Sequence, residues 1–263
     1  MKKYLVIGNP IDHSLSPLIH NFWIKENNID AIYEKRELNE NDLNDLILKI
    51  KEKEINGINV TVPYKQMVIP YLDQLTPEAQ NTQSVNTIYL ENSKIVGHNT
   101  DIGGFKLGVE NSKFDPANKE IFIIGAGGVV PSIIFALNEM KVSKITLTNR
   151  TANKALILKK QFSNINVVTW GVVPNFDMVI NATSLGLDKN KNLDLDFSKS
   201  GKNKFFYDVI YNPKYTNFLK LGKKLGNNIE NGKMMFLYQA CLAFKIWHGL
   251  QPNINDKIIK LLD

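Results

Sequence analysis

The chain has 263 residues, enough for one large domain or two modest ones with buried cores. Its apolar fraction of 43% and charged fraction of 22% are typical of a soluble globular protein. The net charge of +6 arises from lysines spread along the whole chain, whereas nucleic-acid-binding proteins more often cluster basic residues with aromatic ones on one face. We therefore expect no nucleic-acid partner, although a positive potential could still attract an anionic substrate and cofactor.

The cysteine, histidine and hydropathy patterns narrow the class of protein further. Cys241 is the only cysteine, which excludes an intrachain disulfide and a cysteine-based metal cluster, and its apolar neighbours predict a buried structural thiol. The four histidines are scattered, without helix-spaced carboxylates, so we expect no metal. The apolar stretch 4–7 is too short for a signal-peptide core. The uncharged run 121–138 contains three glycines and Pro131, so it predicts a strand, turn and helix instead of a membrane span. We expect a cytoplasmic protein.

Apolar segments of strand length alternate along the chain with segments of helical periodicity, a pattern that predicts a parallel α/β architecture. In the first hundred residues we predict strands at 4–7, 31–37 and 57–62, helices beginning at Ser16 and spanning 41–53, and a hairpin of 84–90 with 94–97. Further along we predict strands at 120–124, 144–148, 167–169, 177–180 and 205–209, and helices at 131–140, 151–162, 234–250 and 255–262. The polar stretch 187–203 is expected to be a surface loop or a partly ordered segment.

A glycine-rich turn, Gly125-Ala126-Gly127-Gly128, follows the predicted strand 120–124 and precedes a helix. Such a turn lets the pyrophosphate of a dinucleotide approach the backbone and the N-terminus of the next helix. The next strand is followed by Asn149-Arg150-Thr151, at the place where such folds bind the adenosine ribose. An acidic side chain there would accept the 2′-hydroxyl of NAD, whereas Arg150 suits a 2′-phosphate. The sequence therefore predicts a site that prefers NADP.

Polar side chains in the first hundred residues lie where predicted strands end or helices begin. Ser14 and Ser16 stand at a helix entrance, so they could cap that helix or hold a carboxylate. Lys65 follows a strand, and in a chain this rich in lysine it could equally be a solvated side chain. Asn86 is expected inside a strand, where asparagine is disfavoured. Asp101 could be a functional carboxylate or only a helix cap.

Several of these residues belong to short motifs that follow one another along nearly the whole chain. The motifs occupy residues 8–21 (Gly-Asn-Pro-Ile-Asp-His-Ser-Leu-Ser-Pro-Leu-Ile-His-Asn), 59–65 (Asn-Val-Thr-Val-Pro-Tyr-Lys), 84–87, 97–101, 125–128, 149–151, 181–186, 208–213 and 232–247. In this order they resemble the motifs of shikimate dehydrogenases. The segments 8–21 and 59–65 are the specific part of the resemblance, since a glycine turn alone is a weak signal.

The resemblance implies both a fold and an activity. The fold is an N-terminal substrate-binding α/β domain, formed by residues 1–101 with 237–263, and a Rossmann-like NADP-binding domain, 102–236, with a cleft between them. The activity is the reversible NADPH-linked reduction of 3-dehydroshikimate to shikimate, a step of the shikimate pathway in aromatic amino-acid biosynthesis. The implied partners are small molecules, and the implied assembly is a monomer or a homodimer.

The resemblance also assigns roles to individual residues. Lys65 and Asp101 would form the catalytic pair. The substrate pocket would be lined by Ser14, Ser16, Thr61, Asn86, Asp101, Tyr211 and Gln239. The cofactor pyrophosphate would lie on Gly125, Ala126, Gly127, Gly128 and Val129, and the 2′-phosphate among Asn149, Arg150, Thr151 and Lys154. The nicotinamide end would lie near Thr183, Ser184, Val209 and Gly232.

One segment departs from the family pattern. Two alternative functions are also compatible with the same motifs. After the glycine turn the family often has small residues and an arginine, whereas this chain has Val130 and Pro131. We expect a slightly repositioned helix and weaker cofactor affinity. One alternative is a quinate/shikimate dehydrogenase that uses NAD, against which Arg150 and Lys154 argue. The other is a non-catalytic paralogue that binds a metabolite, against which the presence of both Lys65 and Asp101 argues.

Overall fold

The computed structural model describes residues 1–188 and 190–262. The chain forms two compact units, Met1–Gly104 together with the chain from Leu237 onward, and Phe105–Phe236. Each unit is built on one six-stranded sheet with helices packed against it, so the predicted α/β fold is confirmed. None of the described helices combines the length and the apolar character needed to cross a membrane.

The helices and strands follow one another as the alternating sequence pattern predicts. Up to residue 111 they are β1 (Lys2–Gly8), α1 (Ser16–Glu26), β2 (Ala31–Glu37), α2 (Leu43–Lys51), β3 (Gly57–Val60), β4 (Gln74–Leu75), α3 (Pro77–Thr82), β5 (Thr87–Glu91), β6 (Lys94–His98) and α4 (Asp101–Asn111). They continue as β7 (Glu120–Ile124), α5 (Val130–Glu139), β8 (Lys144–Thr148), α6 (Ala152–Gln161), β9 (Ile165–Val167), β10 (Met178–Asn181), β11 (Phe205–Asp208), α7 (Asn217–Lys224), β12 (Asn228–Glu230), α8 (Lys233–His248) and α9 (Asp256–Lys260).

The sheet of the first unit has the order β2-β1-β3-β5-β6-β4. Strand β5 runs antiparallel to both of its neighbours, and the remaining pairs are parallel. The apolar stripe of α2, which consists of Leu43, Leu46, Ile47 and Ile50, is buried in the same core as the strand residues Ile7 and Ile58. This packing fixes the end of β3 and the beginning of β5, between which Lys65 and Asn86 lie.

The sheet of the second unit has the order β12-β11-β10-β7-β8-β9, and all its strands are parallel. Counted from β7 as the first strand, this is the 3-2-1-4-5-6 order of the Rossmann fold. The direction of the order reverses between β7 and β10. In such sheets ligands bind beyond the carboxyl ends of the strands at this reversal point, so the topology places a binding edge at the ends of β7 and β10.

Two strand predictions are wrong at sites that carry polar side chains. Strand β3 ends at Val60 and not at residue 62, because the chain turns there and the Tyr64 N–H donates to the Thr61 carbonyl at 2.9 Å. Asn86 lies just before β5 and not inside a strand, and its side-chain oxygen accepts a hydrogen bond from the Thr100 N–H at 2.8 Å. Thr61 and Asn86 therefore belong to the segments at the ends of strands, not to the face of the sheet.

Helices α4 and α7 are missing from the sequence prediction, since both contain glycine, which lowers helix propensity. The structure shows what these glycines do. A Cβ atom at Gly108 would lie 3.1 Å from the backbone nitrogen of Met235, and one at Gly222 would lie 2.6 Å from the Phe206 ring. The glycines let the two helices approach their neighbours closely, although glycine lowers the helix propensity of both segments. The short elements β4, α3 and β12 are also absent from the prediction.

The segment 187–203 is expected to be a surface loop or a partly ordered segment. Lys189 lies outside the described residues, and the described part of the segment contributes to the core. It contains no helix or strand in that part, but Leu195 and Phe197 are buried in the core of the second unit. The Phe197 ring lies 5.4 Å from that of Phe206 and 5.8 Å from that of Phe218. The two apolar residues anchor a segment whose overall composition is polar.

Cys241 is buried on α8, as its apolar neighbours predict. Burial raises the pKa of its thiol to about 11, and its Sγ lies 3.6 Å from the Pro252 carbonyl oxygen. A protonated thiol is a poor nucleophile and a poor metal ligand, so Cys241 is a structural residue. Within residues 1–188 and 190–262, no group of three or more His, Cys, Asp or Glu side chains is arranged to hold a metal ion.

Candidate active site

A buried ion pair lies at the centre of the candidate site in the first unit. Lys65 follows the turn after β3, and Asp101 is the first residue of α4. The Lys65 ammonium donates a hydrogen bond to Oδ2 of Asp101, and the two side chains are only 10% and 8% exposed. A solvated lysine, the alternative interpretation, is therefore excluded. The site presents an amine with a carboxylate already in place beside it.

The backbone around Asp101 is held by neighbouring side chains. Oδ1 of Asn99 accepts the Asp101 N–H at 3.0 Å, and its Nδ2 donates to Oγ1 of Thr82 at 3.0 Å and to the Ser84 carbonyl at 2.9 Å. Asn99 is 1% exposed, so these bonds are made in a buried environment. The Asp101 carboxylate bonds instead to Lys65 and Asn86, so it does not act merely as a helix cap.

Asn86 orients the second oxygen of Asp101. Its Nδ2 group donates to Oδ1 of Asp101 and to Oγ1 of Thr100, both at 2.9 Å. Its Oδ1 accepts the Thr100 N–H at 2.8 Å. Because a backbone N–H can only donate, this bond fixes which end of the amide faces the carboxylate. Both oxygens of Asp101 thus accept hydrogen bonds, from Lys65 on one side and from Asn86 on the other.

A second asparagine, Asn59, extends this network and is not among the residues expected to bind substrate. Nδ2 of Asn59 donates to the Asn86 carbonyl at 3.0 Å and to Oγ1 of Thr87 at 3.1 Å, and its Oδ1 accepts the Tyr33 hydroxyl at 2.7 Å. Burial raises the pKa of Tyr33, while a hydrogen bond with the Ser16 side chain acts in the opposite direction. The sequence signal was available, since Asn59 is a polar residue in the buried strand β3.

The two serines at the entrance of α1 do not cap the helix. The N-cap residue is Leu15, and no side chain caps the helix there. Oγ of Ser14 accepts the Ser16 N–H at 3.3 Å, and Ser16 is buried next to Tyr33. Thr61 lies near the end of β1, where a Cβ atom at Gly8 would come within 2.6 Å of its methyl group. The capping alternative for Ser16 is thus not observed.

The two remaining substrate-lining candidates lie in different units. Gln239, on α8 in the first unit, places Oε1 3.5 Å from Nδ2 of Asn86. Tyr211 belongs to the second unit, where its ring stacks on that of Phe236 at 4.4 Å. The structure therefore joins Gln239 directly to the network around Asp101.

In the second unit, the glycine turn has the geometry that a pyrophosphate requires. Gly125 follows β7 with a φ of +114°, and a Cβ atom there would lie 2.8 Å from the Ala182 carbonyl oxygen. Gly127 is exposed, and a Cβ atom there would make only an ordinary contact, 3.9 Å from the Ala182 carbonyl oxygen. Helix α5 begins at Val130, and Pro131 lies in its first turn, where proline is tolerated. Backbone N–H groups at this helix N-terminus are suited to bind an anion.

The candidate 2′-phosphate residues follow β8, the second strand of the Rossmann order. Arg150, Thr151 and Lys154 are exposed, and Thr151 is the N-cap residue of α6. Nδ2 of Asn149 donates to the Thr151 carbonyl at 2.9 Å, which shapes the turn. No acidic residue occurs at positions 149–151. These residues fit a phosphate better than a ribose hydroxyl.

The candidate nicotinamide-end residues converge on the same edge of the second sheet. Thr183 and Ser184 follow β10, and the methyl group of Thr183 would lie 2.9 Å from a Cβ atom at Gly125. Val209 follows β11, and a Cβ atom at Gly232 would lie 2.1 Å from its carbonyl oxygen. Only glycine fits at position 232. The segments after β7, β10 and β11 thus meet at one edge.

Comparison with known proteins agrees with this arrangement. A sequence model described as the shikimate dehydrogenase substrate binding domain matches residues 6–88, and one described as shikimate/quinate 5-dehydrogenase matches residues 109–214. An NADP(+) shikimate dehydrogenase of Pelagibacter ubique is 53% identical over 262 residues, which cover 100% of this chain and 99% of that protein. One of Staphylococcus haemolyticus is 36% identical, with 97% of this chain and 95% of that protein covered.

Solved structures give the same result for the fold. A shikimate dehydrogenase in complex with NADP+ has a TM-score of 0.91 at 33% identity, covering 100% of this chain and 94% of its own. The Thermus thermophilus shikimate 5-dehydrogenase in complex with NADP(H) and shikimate has a TM-score of 0.90 at 28% identity, covering 100% and 98%. The chain belongs to the shikimate dehydrogenase family.

Proposed function

We propose that the protein catalyses the reversible NADPH-linked reduction of 3-dehydroshikimate to shikimate, a step of the shikimate pathway, with Lys65 and Asp101 as the catalytic pair. The observation that carries the proposal is the buried Lys65–Asp101 ion pair, oriented by Asn86. The protein is an NADP-dependent oxidoreductase that acts on a CH–OH group. A binding protein without activity need not keep both residues, so their presence favours catalysis.

The substrate would be held mainly by side chains of the first unit. The hydroxyls of Ser14 and Ser16 would donate hydrogen bonds to its carboxylate. Thr61, Asn86, Tyr211 and Gln239 would bind its carboxylate or its ring hydroxyls, and Asp101 would contact a ring hydroxyl. The position of Gln239 beside Asn86 supports this assignment.

Proton transfer is the part of the reaction that this chain performs itself. NADPH, when bound, supplies the hydride to the keto carbon. The Lys65 ammonium donates a hydrogen bond to the carbonyl oxygen, stabilises the alkoxide that develops there, and transfers a proton to form the new hydroxyl. The lysine is left as a neutral amine and regains a proton from solvent. In the oxidative direction, the neutral amine removes the hydroxyl proton. Asp101 holds the amine in position.

The cofactor would be held by residues of the second unit. Gly125, Ala126, Gly127, Gly128 and Val129 would contact the pyrophosphate. Asn149, Arg150, Thr151 and Lys154 would surround the 2′-phosphate, and Thr183, Ser184, Val209 and Gly232 would contact the nicotinamide end. The convergence of these segments at the carboxyl edge of a Rossmann sheet supports the assignment.

The proposal extends to domains, location and assembly. Residues 1–101 with those from 237 onward would form the substrate-binding domain, and residues 102–236 the NADP-binding domain. We place the protein in the cytoplasm, with small molecules as its only ligands. It would be a monomer or a homodimer, which light scattering on the purified protein distinguishes.

The test is a set of four reactions followed at the nicotinamide absorbance band, with shikimate or quinate and NADP⁺ or NAD⁺. We expect rapid reduction only with shikimate and NADP⁺. Equal or faster reduction of NAD⁺ would contradict the role of Arg150 and favour the quinate/shikimate dehydrogenase. If the folded protein reduces neither cofactor in any of the four reactions, the result would favour the metabolite-binding paralogue.

A further inference from the structure

Asp208 is a buried carboxyl group to which the mechanism assigns no role. We propose that Asp208, acting through Asn181, is a positioning residue that holds the Thr183 loop (residues 181–186) in the conformation needed to bind NADPH. This inference rests on the proposed function, because it concerns the same cofactor site. It adds a residue that touches neither substrate nor cofactor in the proposal.

Asp208 joins three segments of the second unit. It ends β11, is 0% exposed, and accepts three hydrogen bonds. Oδ1 accepts the Ile210 N–H at 3.0 Å and Nδ2 of Asn181 at 3.1 Å, while Oδ2 accepts the Thr216 hydroxyl at 2.6 Å. A buried carboxyl group is costly unless it is fully hydrogen-bonded, so these three bonds stabilise one relative arrangement of the segments.

Asn181 transmits this arrangement to the Thr183 loop. It ends β10, and its Oδ1 accepts both the N–H of Thr183 at 3.1 Å and its hydroxyl at 2.7 Å. Its Nδ2 donates to the Leu185 carbonyl at 3.1 Å as well as to Asp208. The Thr183 N–H can only donate, so the amide must present Nδ2 to Asp208. Asp208 is the acceptor that completes this orientation.

The loop in turn forms one wall of the candidate cofactor site. A Cβ atom at Gly125 would lie 2.8 Å from the Ala182 carbonyl oxygen and 2.9 Å from Cγ2 of Thr183. The glycine turn and the Thr183 loop are therefore in contact at the reversal point between β7 and β10. A shift of the loop would move one side of the site relative to the other.

The chemistry of Asp208 suggests a conservative replacement. Burial raises the pKa of its carboxyl group to about 6. Asparagine at this position would keep Oδ1 as the acceptor for Asn181 and Ile210, and its Nδ2 would donate to Oγ1 of Thr216. Asp208→Asn therefore keeps the network, whereas Asp208→Ala removes all three bonds.

The experiment measures the Kd of NADPH by calorimetry without substrate, together with urea unfolding, for these two variants. We expect Asp208→Ala to raise the Kd by at least tenfold and Asp208→Asn by less than threefold. The control is Asp177→Ala. Asp177 lies just before β10, at the opposite end of this strand from Asn181, and its carboxylate accepts hydrogen bonds from the Glu120 N–H at 3.0 Å and from Nζ of Lys204 at 3.3 Å. The Asp177→Ala variant should be less stable to unfolding, and its Kd for NADPH should stay within twofold of the wild-type value.

Other outcomes overturn the inference. Wild-type affinity in folded Asp208→Ala, or an equal loss in Asp177→Ala, would reduce Asp208 to a structural residue. If Asp208→Ala does not fold, the Asn181→Ala variant tests the inference instead. It breaks the link to Thr183, and Asp208 still accepts hydrogen bonds from two donors. A wild-type Kd for NADPH in Asn181→Ala would overturn the inference. NADPH binding without turnover in the unsubstituted protein would contradict the proposed function alone. No NADPH binding would overturn both.

Discussion

Nδ2 of Asn86 donates a hydrogen bond to Oδ1 of Asp101 at 2.9 Å, and the Thr100 N–H prevents the amide from flipping. The carboxylate is therefore hydrogen-bonded on both oxygens before any substrate arrives, with Lys65 on Oδ2. A pair held in this way needs little reorganisation during proton transfer, which is the basis of electrostatic preorganisation. Lys65 and Asn86 are therefore the two partners on which the geometry of Asp101 depends.

Lys65→Met removes the proton donor and keeps an unbranched apolar chain. We expect kcat to fall by about 10²–10⁴-fold, the usual contribution of a positioned acid or base, while the Kd of shikimate stays within several-fold. Initial rates give kcat, and calorimetry gives the Kd of shikimate. The control is Lys51→Met, which breaks the exposed pair with Asp73 in the same unit and should leave both unchanged. Full turnover in Lys65→Met would refute the assigned role.

Asn86→Asp replaces the donor that faces Asp101 with an oxygen. Two carboxyl oxygens would then approach each other in a buried site, so the variant should lose several kcal/mol of unfolding free energy or bind a proton there. We expect kcat to fall at least tenfold. Urea unfolding and initial rates measure the effects. Exposed Asn166, in the second unit, provides the control Asn166→Asp. If both variants behave like wild type, the orientation of Asp101 does not depend on Asn86.

Much of the fold could be predicted from the sequence, because the apolar strands are short, regular and bounded by turn residues. The strands at 31–37, 120–124 and 144–148 agree with the structure residue for residue. The prediction of helices and buried residues failed where a residue makes a tertiary contact that its local sequence does not favour. Gly108 and Gly222 lie within helices although glycine lowers helix propensity, since a Cβ atom would crowd the Met235 backbone at Gly108 and overlap the Phe206 ring at Gly222. Leu195 and Phe197 are buried although the segment around them is polar.

The candidate site was predictable only through residues that belong to recognisable motifs. The proximity of Lys65, Asn86 and Asp101 is confirmed by the structure, and their roles stay predictions. Tyr33 lies outside these motifs. Asn59 opens the motif 59–65, but its part in the site depends on the hydrogen bond that it accepts from Tyr33 across 26 residues of sequence. Asp208 lies in a motif, but its three partners come from segments that only the folded sheet brings together.

Arg150→Ala tests the preference for NADP. Charge-assisted hydrogen bonds are worth about 1.5–3 kcal/mol, so kcat/KM with NADPH should fall by about 10- to 100-fold. The value with NADH, which has no 2′-phosphate, should change less than threefold. Lys160→Ala, at the last turn of α6, controls for the loss of one exposed positive charge and should leave both values unchanged. An equal fall with both cofactors would show that Arg150 shapes the loop and does not read the phosphate.

Buried His20 makes the stability of the fold sensitive to acid. Its imidazole is buried and stacks on the Tyr33 ring at 4.1 Å, and neither ring nitrogen has a hydrogen-bond partner among the described residues. Burial lowers its pKa to about 3, with a smaller contribution from His248, whose own pKa is lowered to about 4. Between about pH 6.5 and pH 3 the unfolded chain therefore binds a proton at His20 that the folded protein does not. Stability must fall as the pH falls through this window, by up to about 1.4 kcal/mol per pH unit for this group.

His20→Phe should remove this loss, because phenylalanine keeps a ring in the stack and cannot bind a proton. We expect the variant to match or exceed wild-type stability at neutral pH, where two unbonded nitrogens have been removed. At about pH 5 its advantage should grow by about 2 kcal/mol, while the contribution of His248 stays in both proteins. Urea unfolding at the two pH values measures the difference. Exposed His13→Gln should follow the wild-type pH dependence. Parallel profiles for His20→Phe and wild type would mean that the folded protein accommodates a charged His20.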